Sequence, residues 1–373
     1  MIAKIYLFMR KINTMLSWHR LLAKITCLFV FASLFCSCKF YPKYVNAHQF
    51  SIKEIPFEKT LNGKILTFNE PIMPAALSVV DSVLILLNIN SVTNFLVHKY
   101  NLNSMEKIGE SVSIGNGPGE MLSVWKIQIT DSSVWLLDRM KRIVNKYEIS
   151  DFCFSDHPIL EHTIQFTSYV DDISVLSDHE IVAMIAEPYR GRLILFDMEG
   201  NQLFENGEIP DDGTKKHPIE KAKGAVCYMV TNPLDKRIGL VYMSTDLIEI
   251  YDTEANLLKQ VHGPDQFFPH FKVHNSDGGT TRVGTVKGKA REAYYSPVGF
   301  NNEIWALYSG KYDDPKDIHL HLIDTIIVFD WDGNPLRYYK LDMPVFKFTI
   351  DEQNNKIYAI SDSPDFNIIE FDL

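Results

Sequence analysis

The sequence predicts an all-β, six-bladed β-propeller of four-stranded antiparallel blades, and two recurring motifs carry this prediction. The first motif is an apolar run that ends in an aromatic residue followed by a polar one. It occurs at Tyr100, Tyr147, Phe196, Tyr251, Phe329 and Phe371. The second motif is a polar turn followed by a short apolar strand. It precedes each copy of the first, at Val83, Val134, Ile181, Ile238, Ile304 and Ile357.

The composition agrees with a large β domain. The chain has 373 residues, of which 46% are hydrophobic and 23% are charged, so it can bury a sizeable core. Aromatic and β-branched residues are plentiful, and tracts of strong helix formers are scarce. This balance favours strands over helices.

The spacing of the aromatic positions gives the number of blades. They recur at intervals of 42 to 55 residues, except for one interval of 78 that we interpret as a unit with an insertion. Units of this length are typical of four-stranded propeller blades, so six copies predict six blades over residues 49–373. The sixth blade would lack an outer strand, and a surplus strand within residues 49–70 is expected to close the ring. Insertions are predicted at 263–290 and 309–321.

Residues 1–37 have the properties of a secretory signal peptide. They contain five basic and no acidic residues, and their apolar run from Ile25 to Phe35 is too short to span a bilayer comfortably. Cys38 lies three residues after this run and is preceded by the small residue Ser37, which resembles the lipobox of bacterial lipoproteins. Cys36 fits the lipobox less well, because Phe35 would occupy its small-residue position, and a plain cleaved signal is the other alternative. The resemblance implies that the Cys38 thiol is lipidated and that residues 38–48 tether the protein to a membrane.

The protein without its signal is strongly acidic. The full chain has a formal net charge of −10, and loss of five basic residues leaves −15. A field of this sign disfavours nucleic acid as a partner and electrostatic attraction to anionic lipid. We therefore expect the lipid, and not the protein surface, to attach the chain to the cell envelope. The segment KFYPKYV after Cys38 has no acidic run that would mark surface export, so we expect the propeller to face the periplasm.

Residues 114–150 resemble one NHL-type repeat. A glycine-rich turn, Gly-Glu, an apolar strand, a polar turn, a strand ending in Asp and a strand ending in an aromatic–acidic pair follow one another from Ile114 to Ser150. Together with the signal, this segment is similar to the TolB-like, six-bladed propeller lipoproteins of Gram-negative bacteria. The resemblance implies the propeller fold for residues 70–373.

The segment IGNGPGE, Ile114–Glu120, also has the glycine spacing of a phosphate-binding loop. A dinucleotide loop opens a helix, and a Walker loop contains Gly-Lys-Ser/Thr. Here Pro118 interrupts the glycines and the β-rich sequence MLSVWKIQI follows. We therefore expect a turn between two blades, and neither a nucleotide nor another organic cofactor.

Several basic residues fall in loops that would surround the mouth of the central channel. They join second to third strands in blades two and three, or follow the insertion 263–290, beside two tyrosines. Guanidinium groups pair with acids and aromatic rings stack on ligands, so we expect this face to bind a carbohydrate, peptide or protein. The predicted ligand-binding residues are Glu120, Arg139, Arg142, Arg190, Arg291, Tyr294 and Tyr295.

A metal-dependent enzyme is the alternative function. Six-bladed lactonase-like enzymes hold a divalent cation in the funnel, with ligands from several blades. In the insertion 309–321, His319 and His321 would lie on one face of a strand near Asp314, and these three are candidate zinc ligands. No Gly-x-Ser-x-Gly motif occurs. We therefore favour a non-enzymatic binding or scaffold role over a lactonase or lyase.

Cys153 and Cys227 lie in apolar or strand-like segments. Such cysteines are expected to be buried free thiols. A bridge between them is the open alternative, because the expected compartment is oxidising.

Overall fold

The computed structural model describes residues 42–373, apart from 89–92, 131, 178, 233 and 276–280. The predicted signal peptide and Cys38 lie outside the described residues, so both stay predictions. Among the described residues, no helix is long and apolar enough to cross a membrane. Residues 44–373 belong to one folded unit.

This unit is built around six four-stranded antiparallel sheets, and in the first five of them the strands follow chain order from the inner to the outer strand. Blade one is β4 (Pro74–Val80), β5 (Val83–Asn88), β6 (Phe95–Asn101) and β7 (Lys107–Ser113). Blade two is β8 (Lys126–Ile129), β9 (Ser133–Asp138), β10 (Ile143–Glu148) and β11 (Leu160–Gln165), with helix α1 (Ile149–Phe154) before β11. Blade three is β12 (Asp172–Ser177), β13 (Glu180–Met184), β14 (Leu193–Asp197) and β15 (Gln202–Asn206).

The second half of the chain repeats this plan. Blade four is β16 (Cys227–Asn232), β17 (Arg237–Tyr242), β18 (Leu247–Asp252) and β19 (Leu257–His262). Blade five is β22 (Tyr294–Phe300), β23 (Glu303–Tyr308), β24 (Ile323–Asp330) and β25 (Pro335–Val345). Blade six is β26 (Lys347–Asp351), β27 (Lys356–Ser361) and β28 (Asn367–Asp372), completed by β3 (Gly63–Leu66).

The aromatic positions that predicted the blades all lie in third strands, and all six side chains are buried. After three of them the chain turns through an Asp–Asn motif. The carboxylate of Asp197 accepts backbone N–H groups from Glu199 and Asn201, and the Asn201 amide donates to its second oxygen at 2.9 Å. Asp252 and Asp330 repeat this pattern in the next two blades. The motif therefore satisfies the backbone locally between the third and fourth strands.

The hydrophobic core lies between neighbouring blades. Val182 and Met184 of blade three, for example, share a buried cluster with Leu240 of blade four. Each such side chain contributes about 1.5–3 kcal/mol when it is fully removed from water. The apolar side chains that each strand directs toward the neighbouring blade are therefore buried between the two sheets, and this burial stabilises the contact between blades.

The ring is closed by an N-terminal strand, as predicted. The strand β3 pairs antiparallel with β28, and Leu66 lies opposite Ile368. Gly63 is required at the other end, because a Cβ there would lie 2.5 Å from Cγ2 of Ile369 and 2.8 Å from the Phe371 ring. This pairing supplies the outer strand that blade six otherwise lacks.

Two further N-terminal strands extend the outer edges of blades four and five. The strand β1 (His48–Gln49) runs parallel to β19, and β2 (Phe57–Leu61) runs parallel to β25. Ahead of them, the Tyr44 ring is buried, with its centroid 4.9 Å from that of His262 and 5.1 Å from that of Phe268. The folded unit therefore begins at Tyr44, earlier than the predicted boundary at residue 49.

The larger insertion forms a small subdomain outside the six blades. The strands β20 (Phe271–Asn275) and β21 (Thr281–Thr285) make an antiparallel hairpin. The helix α2 (Pro218–Gly224), in the connection from blade three to blade four, contacts this hairpin. Glu220 accepts the backbone N–H of Val273 at 2.8 Å, which fixes the hairpin against the helix.

Candidate functional site

One face of the propeller, here the mouth face, gathers two kinds of loop. These are the loops between the second and third strands of each blade, and the connections from a fourth strand to the next blade. The inner strands contact one another in a ring, in the order β4, β8, β12, β16, β22, β26 and back to β4. Each inner strand begins at the mouth face, so the central channel that they enclose opens there.

The predicted ligand-binding residues other than the tyrosines all lie in loops of the mouth face. Glu120 lies between β7 and β8, and Arg139 and Arg142 lie between β9 and β10. Arg190 lies between β13 and β14, and Arg291 directly precedes β22. These residues therefore lie together at one end of the molecule, as the sequence predicts, and their binding role stays a prediction.

The glycine-rich loop closes around a carboxylate of its own. Glu120 Oε2 accepts the backbone N–H of Gly117 at 2.7 Å, and a Cβ at Gly115 would collide with the same carboxylate. Gly119 has a φ of +74°, a conformation that glycine adopts without strain. The loop leads from β7 to β8, so it is the inter-blade turn that the sequence predicts, and Glu120 serves to hold it.

Arg139 is the centre of an aromatic–arginine cluster formed with Trp125, Tyr169 and Asp171. Its guanidinium carbon lies 4.2 Å from the Trp125 ring centroid and 5.2 Å from that of Tyr169. One guanidinium nitrogen donates to the Tyr169 hydroxyl and lies 3.0 Å from Asp171 Oδ1. Trp125 is 48% exposed and Tyr169 is 38% exposed. The arginine thus holds two aromatic rings in place while they face solvent.

Arg190 and Arg142 differ in how their side chains are held. Arg190 makes a two-pronged pair with Glu205, with Nε 3.2 Å from Oε1 and a terminal nitrogen 2.6 Å from Oε2. The hydrogen bond from Arg190 lowers the pKa of the Glu205 carboxyl. Arg142 adopts a φ of +56° in its turn and is exposed. Of this pair, Arg142 is the residue free to meet a ligand charge.

Arg291 repeats the arrangement of Arg139 between blades four and five. Its guanidinium carbon lies 4.4 Å from the Phe267 centroid and 5.1 Å from that of Tyr312. It also contacts Asp265 and donates from Nε to the carbonyl of Gly310 at 2.9 Å. Its charge is therefore already neutralised, as it is for Arg139 and Arg190.

The two adjacent tyrosines have different roles. Tyr294 is completely buried, its ring lies 5.1 Å from that of Tyr308, and its hydroxyl donates to the carbonyl of Gly263. The prediction that Tyr294 binds a ligand is therefore wrong, because strand alternation points this side chain into the core. Tyr295 points the other way and is partly exposed, 6.1 Å from Tyr228 between ring centroids.

The channel contains further polar residues that local motifs do not reveal. Lys126, Asp172, Tyr228, Tyr295 and Lys347 are each the first or second residue of their inner strands in blades two to six. They therefore form one layer directly below the mouth, here the channel layer. Each blade supplies one side chain, so no spacing in the sequence could have identified the set.

Glu292 stands beside this layer, just before β22. Burial raises the pKa of its carboxyl to about 7, and the nearby Asp313 adds to this effect. Its side chain is only partly exposed. A carboxyl that titrates near neutrality is uncommon outside functional sites.

The candidate zinc ligands do not come together as predicted. His319 and His321 lie in a turn and not on one face of a strand, because strand β24 begins only at Ile323. His321 Nε2 lies 2.9 Å from Asp362, and the Asp314 carboxylate accepts the N–H of Lys316. Across the described residues, no group of three His, Cys, Asp or Glu side chains could hold a metal ion.

The two cysteines of the propeller are buried free thiols, as expected. Burial raises the pKa of the Cys153 thiol to about 11 and that of Cys227 to about 12. Thiols of this kind remain protonated and unreactive at neutral pH.

The comparisons with known proteins agree with this architecture. The model of the TolB-like 6-blade propeller-like family matches residues 51–353. A crystal structure of a duf4221 family member from Bacteroides vulgatus has 10% identity, covers 85% of this chain and 96% of its own, and gives a TM-score of 0.54. The structure of a Bacteroides fragilis protein for which export is suggested has 12% identity and a TM-score of 0.48. The match covers 87% of this chain and 98% of that protein's chain. No curated protein sequence matches the chain.

Proposed function

The chain belongs to the TolB-like six-bladed propeller family, and from this premise we propose that it is a non-enzymatic binding protein of the cell envelope. Its mouth face docks a protein or peptide partner. A lipid on Cys38 tethers it to the membrane, and the propeller faces the periplasm. The signal-like N-terminus supports the envelope location.

The aromatic–arginine cluster is the observation that carries the proposal. Tyr189 is 90% exposed and Met140 is 69% exposed, and both lie in loops of the mouth face, Met140 directly after Arg139. Trp, Tyr, Met and Arg are the residues most enriched at protein interfaces. Exposed aromatic rings that are held rigidly lose little entropy when a partner covers them. These features favour a docking surface over a set of solvated side chains that bind no partner.

A capture experiment with a variant of the aromatic–arginine cluster tests the proposed docking surface. The partner is captured from solubilised envelopes on the immobilised protein and identified by mass spectrometry, with the double variant Trp125→Ala, Tyr169→Ala in parallel. We expect one or a few specific proteins to be retained by the unaltered chain and lost, by tenfold or more, from the variant.

The control variant is Leu234→Ala, which changes an even more exposed apolar residue in the loop between β16 and β17 on the opposite face. It should retain the partner. Equal capture by all three proteins would contradict the proposal. A glycan array probed with the same proteins tests the carbohydrate alternative, and glycan binding that the double variant loses would replace the protein partner.

A further inference from the structure

The channel layer contains two lysines whose surroundings differ sharply. Lys126 extends from blade two and Lys347 from blade six. Each reaches side chains or carbonyl groups of non-adjacent blades, so both ammonium groups lie within the channel. Asp172 of blade three is the carboxylate of this layer.

Lys126 is fully satisfied by the protein. Its Nζ lies 3.1 Å from Asp172 Oδ1 and donates to the carbonyl groups of Ile173 at 2.8 Å and Met229 at 2.9 Å. These contacts join blades two, three and four. Lys126 therefore has a structural role that accounts for its charge.

Asp172 has no capacity left for a second lysine. Its Oδ1 accepts the backbone N–H of Ile173 at 2.8 Å, and its Oδ2 accepts that of Met229 at 2.9 Å. Both oxygens also contact Lys126. One carboxylate thus faces two ammonium groups and is committed to the first.

Lys347 has no carboxylate or hydrogen-bond acceptor among the described residues. Its Nζ lies 5.7 Å from the centroid of the Tyr228 ring. Burial lowers the pKa of Lys347, the charge of Asp172 opposes this effect, and the charge of Lys126 adds to it. An ammonium group in such a place is costly unless an anion joins it.

Hydrogen bonds between inner strands lie one layer further from the mouth than Lys347. On the side of blades two to four, the next layer is joined by hydrogen bonds, with Ser174 Oγ 2.6 Å from Thr231 Oγ1 and Gln128 donating to Val175 at 3.1 Å. The rings of Tyr228 and Tyr295 lie in the same layer as Lys347, with 6.1 Å between their centroids. A ligand that enters from the mouth face would meet two aromatic rings and one cation in this layer.

We propose that the channel layer is a binding site for a small organic carboxylate. The carboxylate pairs with the Lys347 ammonium group, and the rings of Tyr228 and Tyr295 contact the carbon frame that carries it. This site goes beyond the docking of a partner on the outer aromatic–arginine cluster. An acidic sugar and the C-terminal carboxylate of a peptide share the required chemistry.

Isothermal titration calorimetry on the full-length protein in detergent tests this site. The probes are galacturonate with galactose as its neutral control, and acetyl-alanyl-alanine with its C-terminal amide as control. We expect one of the two acids to bind and its neutral control to bind at least tenfold more weakly. Which acid binds distinguishes the sugar from the peptide source.

The variant Lys347→Met should reduce that affinity at least tenfold while the protein still unfolds cooperatively, because the substitution removes an uncompensated charge. Lys259→Met, on the exposed outer strand β19, is the control and should bind like the unaltered chain. Binding by neither acid, or equal binding by Lys347→Met, would overturn the proposal. The outcome is independent of the Trp125 and Tyr169 variants, so the two proposals can fail separately.

Discussion

At the scale of single residues, Arg139 and Arg291 show how the mouth face is organised. Each guanidinium lies against two aromatic rings and one carboxylate. Because the charge is neutralised within the protein, these arginines act mainly by positioning rings for contact with a partner. The sequence predicts the arginines, but their partners come from other loops and have no fixed spacing.

Glu292 provides a prediction about pH. Its pKa in the folded protein is raised from 4.5 to about 7, so the folded state favours the protonated form. The stabilising effect is complete below about pH 4.5 and is lost as the pH rises through about 7. The variant Glu292→Gln stays neutral, so we expect it to be more stable than the unaltered chain at pH 8, by at most about 3 kcal/mol.

Thermal unfolding of the two proteins at pH 4.5 and pH 8 measures this difference. At the lower pH the two melting temperatures should agree closely. Glu58→Gln, which alters an exposed side chain on β2, should change neither value. A Glu292→Gln variant that is less stable at pH 8 would contradict the assignment.

At the scale of elements, β3 determines whether blade six is complete. Gly63 packs against Ile369 and Phe371 so closely that any side chain there must displace them. We expect Gly63→Val to destabilise the protein by about 1–3 kcal/mol, as overpacking of a core usually does. The neighbouring exposed residue gives the control Lys64→Val, which should cost less than about 0.5 kcal/mol. Denaturant unfolding curves test the pair, and equal midpoints would show that β3 does not close the ring.

The six blades and the closing strand could be predicted because their signals are local. An apolar run, its aromatic end and the Asp–Asn turn lie within one stretch of chain, as at Phe329, Asp330 and Asn334. The strands β1 and β2 were not predicted, since they pair with β19 and β25 through backbone groups far along the chain. The channel layer could not be predicted for the same reason, because its residues come from strands far apart in the chain. The prediction that His319 lies on a strand is wrong, because a turn precedes β24.

At the scale of the whole molecule, the expected lipid on Cys38 would hold the propeller at the membrane. If Cys38 carries the lipid, Cys38→Ala should move most of the protein from the membrane fraction to the soluble envelope fraction. Cys36→Ala is the matched control, since Cys36 lies two residues earlier in the same segment, and it should remain with the membrane. Fractionation and immunoblotting measure the distribution. Equal release of both variants, or of neither, would contradict anchoring through Cys38.

The family and the fold show the architecture, and the proposed function depends on the residues of the mouth face. The family model covers residues 51–353, and similarity at 10% identity shows the propeller architecture alone. The exposed aromatic–arginine cluster and the channel layer lie at the same end of the molecule, and Trp125 and Asp171 directly precede Lys126 and Asp172 in the chain. We therefore propose that a partner docks on the loops of the mouth face and that a small carboxylate binds in the channel.

The most direct test of the docking surface is site-specific photo-crosslinking in intact cells. A photoreactive amino acid replaces Tyr189 on the mouth face or, in a separate strain, Leu234 on the opposite face; both positions are highly exposed. We expect a discrete crosslinked protein from position 189, absent at position 234 and lost when Trp125 and Tyr169 are changed to alanine. Crosslinks of equal yield from both positions, or from position 234 alone, would contradict it.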